Sequence, residues 1–211
     1  MAIPFIAVEG PIGVGKSTLS KAISETFDFQ LLKEIVEENP FLTKFYEDID
    51  AWSFQTEMFF LCNRYKQLTD IKTELQEQQQ AVVADYHIFK NLIFAKRTLA
   101  QGEYEKYEEI FQILTRDMPM PTIVVYLHAS QETLLKRIAQ RGRAFEQNMD
   151  PSYLMQLSAD YEQFMQQFEQ QNPHIPVIRL DGDQLDFVEN EADMSYVLQE
   201  IEKVVQKGVR Q

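Results

Sequence analysis

Residues 3–18 read IPFIAVEGPIGVGKST: a β-branched, apolar run that meets a glycine and passes straight into a G-x-x-x-x-G-K-S pattern. The run Ile3–Val8 predicts a strand, Gly10-Pro11-Ile12-Gly13-Val14-Gly15-Lys16-Ser17-Thr18 a phosphate-gripping loop, and the residues from about Ser17 onward a helix. Glycines at 10, 13 and 15 let the backbone turn its N–H groups inward, where they and the helix N-terminus can hold a β-phosphate. Lys16 would neutralise phosphate oxygens, and the Ser17 hydroxyl would reach Mg²⁺. Residues 10–18 are therefore the expected ATP-binding loop.

Working outward, four further apolar runs read as strands: Leu31–Val36, Ala81–Ala84, Thr122–Leu127 and Val177–Leu180. Helical periods separate them, clearest over Trp52–Leu68 and weaker over Leu92–Leu99 and Tyr153–Phe168. Alternating strands and helices predict an α/β fold, a parallel sheet covered on both faces. The glutamine-rich Gln76–Gln80 reads as a solvated helix end or loop. With 211 residues, 45% of them hydrophobic, and no Gly/Ser-rich linker, a single domain over 1–211 is expected.

The formal charge of −13 repels nucleic acid and anionic membrane over most of the surface, so phosphate must be met on a local basic island and small substrates are favoured. The only cysteine, Cys62, lies in an apolar run and predicts a buried thiol in a reducing cytoplasm. No basic leader and no apolar stretch approaching about 18 residues predicts export or a membrane span.

Partner motifs must narrow the reaction. The Asn-Lys-x-Asp guanine motif of GTPases is absent, which leaves a kinase ahead. Glu34, in LLKEIVEENP, and Asp85, in AVVADYHIF, stand at strand ends, where an open parallel sheet binds ligands. Phosphorylating an alcohol needs one group to orient or deprotonate it and one to hold the metal; Glu34 and Asp85 are both candidates for the base, and Asp85 joins Ser17 as a metal candidate. Arg137, Arg141 and Arg143, in LLKRIAQRGRAFEQ, predict an anion-binding lid over about 137–147 that excludes water during transfer, with Arg137 catalytic.

Five segments in order, EGPIGVGKST, EIVEENPFLTKFYED, WSFQTEMFFLCNRYKQL, DYHIFKN and RIAQRGRAFE, resemble the deoxyribonucleoside kinase family, from Ile6 to about Phe187. The resemblance implies a P-loop kinase fold with five parallel strands, a homodimer packed through helices, and transfer of the ATP γ-phosphate to a nucleoside 5′-hydroxyl. It implies that Glu34 lies beside that hydroxyl, Tyr46 and Glu146 hold the sugar 3′-hydroxyl, Arg137 and Arg141 are lid arginines, and Asp181-Gly182-Asp183 lie near the adenine of ATP. Asp85 occupies the acid of the family's Glu/Asp-Arg-Ser motif, but Tyr86 replaces its arginine beside the substrate and His87 its serine. The missing positive charge must then come from Lys16, the lid or Lys90.

Glu57 and Arg64 lie two turns apart on the Trp52–Leu68 pattern, about 10 Å along one face, leaving room for a flat base stacked on Phe59 or Phe89. A carboxylate suits the N1–H and N2–H₂ donors of guanine and a guanidinium its O6 and N7 acceptors, whereas adenine N1 would oppose the carboxylate. The resemblance adds Asn91 as a further base contact. The expected acceptor is a purine deoxyribonucleoside, foremost deoxyguanosine. Alternatives are a deoxyadenosine or broad-range deoxynucleoside kinase, a nucleoside monophosphate kinase, and a non-catalytic nucleotide-binding module.

Overall fold

The computed structural model describes residues 3–36, 38–143, 146 and 149–208. Positions 144, 145 and 147 of the expected lid lie outside the described residues. Five strands, β1 (Phe5–Glu9), β2 (Gln30–Leu32), β3 (Val82–Ala84), β4 (Ile123–His128) and β5 (Val177–Asp181), form one sheet in the order β2-β3-β1-β4-β5. Every pairing is parallel. The described helices are α1 (Lys16–Phe27), α2 (Leu42–Glu47), α3 (Ile49–Thr73), α4 (Lys90–Thr98), α5 (Gln101–Thr115), α6 (Gln131–Arg141), α7 (Pro151–Gln171) and α8 (Glu191–Gly208).

Alternation along the strands sends their side chains to two clusters. Phe5, Val82 and Ala84 pack with Leu61 and Leu68 of α3 and Tyr107 of α5. Ile6, Val8 and Val83 pack with Leu19 and Ile23 of α1 and Val197 and Ile201 of α8. Helices thus close both faces of the sheet, as the unbroken apolar strands require.

Two expectations change. The second strand ends at Leu32, not Val36, because its sole neighbour β3 ends at Ala84, the register partner of Leu32. Beyond that point the Glu34 N–H donates to the Asp85 carboxylate at 2.7 Å, so a side chain takes over from the ladder. Cys62 is exposed, not buried. The inward stripe of α3 runs Glu57, Leu61, Arg64, Leu68, Ile71, and Cys62 lies about 100° round the helix from Leu61. Past Thr73, α3 continues into a wider π-type turn, Glu74–Gln78, that delivers the chain to β3.

Candidate active site

The loop between β1 and α1 has its shape because glycine alone tolerates it. Gly10 has φ 146°, and a Cβ there would sit 2.2 Å from the Leu127 carbonyl oxygen of β4. Gly13 has φ 84°, and its Cβ would meet Ile138 and the Leu134 carbonyl of α6 at 2.7 and 2.9 Å. The loop is thus wedged between β4 and the lid helix. Lys16 Nζ donates to the carbonyls of Gly10 and Pro11 at 2.8 and 2.9 Å. Burial, followed by the like charge of Lys90, brings Lys16 down to about 8.

Asp85, immediately after β3, joins the two halves of the chemistry. One carboxylate oxygen accepts from Ser17 Oγ at 2.9 Å, the other from the Glu34 N–H. Burial and then the Glu34 charge raise its pKa. Glu34 is gripped by Lys90, whose Nζ lies 2.9 Å from both its oxygens, and by Arg64 Nη2. Burial alone would raise Glu34, but Lys90 and Arg64 prevail and hold it well below the usual carboxylate range.

These groups open onto a cavity of about 570 Å³ lined at one end by Gly13, Lys16 and Ser17 and at the other by Thr56, Glu57, Phe60 and Arg64. Glu57 and Arg64 are 2% and 4% exposed, yet Glu57 Oε2 and Arg64 Nε have no hydrogen-bond partner among the described residues. Thr56 Oγ1 beside them is unmet as well, and three unmet polar atoms buried on a cavity wall are costly unless a ligand completes them. The remaining Arg64 nitrogens are spent: Nη1 donates to Asn91 Oδ1 at 2.7 Å and Nη2 to Glu34. Burial raises Glu57 to about 8, against the pull of Arg64 and Lys90.

Tyr46 of α2 lines the same cavity, as do Arg137, Arg141 and Glu146. Arg141 engages Glu146 at 2.6 and 3.2 Å, with Arg143 3.7 Å away, so part of the lid's clustered charge is answered by a buried acid. Arg137 donates to the carbonyls of Val14 and Gly182, both at 3.1 Å, joining α6 to the phosphate loop and to the turn after β5. In that turn Gly182 and Asp183 line a smaller adjoining cavity of about 170 Å³, and Asp183 also caps the start of α6 through the Ser130 N–H at 2.8 Å.

Several expected residues stand behind the wall. Asn91 is fully buried between Arg64 and the Tyr107 hydroxyl, to which it donates at 2.7 Å, and does not line the cavity. Tyr86 is likewise fully buried and donates to Gln67 at 2.6 Å, with Arg64 5.7 Å from its ring. Gly10, Pro11 and Val14 contribute carbonyls to Lys16 and Arg137, and Asp181 accepts from the Asp183 N–H at 2.9 Å. Of the expected stacking rings, Phe89 packs on Phe164 and Phe168 and Phe59 lies off the wall; Phe60 and Phe94 line the cavity instead.

Glu9 has no place in the sequence-based assignment. It is fully buried at the end of β1, accepts from the His87 N–H and from Tyr161 OH at 3.4 Å, and is pushed by burial to about 7. It also ends an apolar strand with an acid, the same signal that singled out Asp85, and it clamps the loop carrying Asp85 beneath the phosphate loop.

Residues 6–206 match the family model described as deoxynucleoside kinase. A deoxyguanosine kinase of Bacillus subtilis (strain 168) is 49% identical over 202 residues, covering 96% of this chain and 98% of its own. A deoxyadenosine/deoxycytidine kinase of the same organism is 31% identical, covering 95% and 92%. Among solved structures, a deoxyadenosine kinase from M. mycoides with bound dATP superposes with a TM-score of 0.79 at 26% identity, covering 94% of this chain and 99% of that one.

Proposed function

Because the chain belongs to the deoxynucleoside kinase family and is thereby an ATP-dependent kinase of deoxynucleosides, we propose that its acceptor is a purine deoxyribonucleoside, deoxyguanosine before others. The observation that carries this reading is the unmet pair at the far end of the cavity, the Glu57 Oε2 acceptor and the Arg64 Nε donor. Guanine supplies donors and acceptors to both. A rim of Tyr46 and Glu146 suits the sugar, and because Arg141 and Arg143 lie against Glu146 there, it suits an uncharged acceptor. The 49% identical deoxyguanosine kinase supports the same choice.

Glu34 faces the acceptor and Asp85 the metal in this reading. Held ionised by Lys90 and Arg64, Glu34 orients the 5′-hydroxyl and receives its proton as the bond to phosphorus forms; a loose transition state asks for little prior activation. Ser17 Oγ and Asp85 Oδ2, 2.9 Å apart, are the hard oxygens Mg²⁺ requires, and the remaining ligands would be water and phosphate oxygens. Bound there, the ion would neutralise charge on the transferring phosphoryl group. Lys16 and Arg137 stabilise the remainder, and Gly182 and Asp183 border the space for the ATP base.

The resemblance supports a homodimer packed through helices, and a pool of free ATP and deoxynucleoside supports a cytoplasmic location. No described helix is long and apolar enough to cross a membrane. Competition among the common deoxyribonucleosides for labelled ATP tests the proposal: deoxyguanosine monophosphate should dominate the products. Preferential labelling of a pyrimidine would sink the base assignment, and light scattering decides the dimer.

A further inference from the structure

We propose that Glu57 chooses between the two purines by its own protonation: ionised it accepts guanine, and protonated it accepts adenine. The inference rests on the base subsite proposed above and adds a control that the subsite itself does not imply.

Glu57 is 2% exposed, its Oε2 is unpartnered among the described residues, and the nearby donor, Arg64 Nε, is also unmet. As a carboxylate Glu57 offers only acceptors, the complement of guanine N1–H and N2–H₂. As a carboxylic acid it offers one O–H donor and one acceptor, the complement of adenine N1 and N6–H₂. Arg64 Nε can serve N7 of either purine, so it does not decide between them.

The groups around Glu57 set which form is at hand. Two cations, Arg64 of its own helix and Lys90 of α4, favour the carboxylate, but both are largely consumed by Glu34 from the loop after β2. Tyr46 of α2, Tyr107 of α5 and Tyr153 of α7 face Glu57 as neutral phenols, each driven upward chiefly by burial. Burial therefore outweighs the cations and Glu57 stands at about 8, protonated on the acid side of that value. Guanine binding on that side must expel one proton, whereas adenine binding needs none.

Two measurements test this. In competition, the ratio of kcat/KM for deoxyguanosine to that for deoxyadenosine should fall roughly tenfold per pH unit on acidification across Glu57's titration, until the mismatched form takes over. Titrations of Lys16 and Glu9 act on both substrates alike and cancel in that ratio. In calorimetry with buffers of differing ionisation enthalpy, deoxyguanosine should release up to one proton and deoxyadenosine none. Glu57→Gln, which presents a fixed donor and acceptor, should make the ratio independent of pH and abolish the release. A wild-type ratio that stays constant while deoxyguanosine remains preferred overturns the inference and leaves the proposed function intact. Failure to phosphorylate deoxyguanosine at any pH overturns the base assignment, and this inference with it. Should Glu57→Gln not fold, the wild-type calorimetry decides alone.

Discussion

Glu34 makes the most exacting contacts in the site, since two buried cations converge on it. Glu34→Gln leaves Lys90 and Arg64 facing a neutral amide, so we expect destabilisation of about 3–5 kcal/mol, measured by denaturant unfolding, besides loss of turnover. Asp85→Asn keeps an acceptor for the Glu34 N–H and lets its amide nitrogen donate to Ser17 Oγ, whose hydroxyl can turn to accept; it should spare the fold and raise the Mg²⁺ concentration needed for half-maximal rate. Lys16→Ala should lower kcat by about 10²–10³ or more, and near-normal turnover would remove the phosphate loop from the chemistry. The residue types were legible because spacing exposes them: Glu57 and Arg64 share a helix face, and Lys16 sits in a motif. Their partners were not. Arg64 meets Glu34 and Asn91 across 30 and 27 residues of sequence, contacts that only the folded chain creates.

Elements decide where those residues point. Gly13→Ala would drive a methyl into Ile138 and the Leu134 carbonyl at a φ of 84°, separating α6 from the phosphate loop. We expect a loss of about 1–3 kcal/mol and a raised KM for ATP, because Arg137 rides on α6. An unchanged KM would show that α6 position does not govern ATP binding. Strand and helix periods made the sheet readable from sequence, together with its cover. The early end of β2 was hidden, because a carboxylate from 51 residues away replaces main-chain pairing at Glu34. Cys62 was misplaced because an apolar neighbourhood says nothing about phase: α3 turns Leu61 inward and Cys62 out.

Across the whole molecule, buried acids make stability respond to pH in an unusual direction. Glu57 and Glu9, raised to about 8 and about 7, bind protons in the folded chain that the unfolded chain, ionising near 4.5, does not. The ligand-free protein should therefore gain stability as pH falls from about 8, by about 2–4 °C in Tm for each kcal/mol recovered. His87, lowered to about 4 by burial, opposes this below its ordinary 6.5, since there the unfolded chain takes the proton. Melting curves should show the rise, and Glu57→Gln should flatten it; a Tm that falls steadily from pH 8 would contradict the assignment. Lys16 is moored to two carbonyls of its own loop and Arg137 to two others. An incoming anion must trade against those moorings, so part of its attraction to the two cations is spent on releasing the carbonyls they hold.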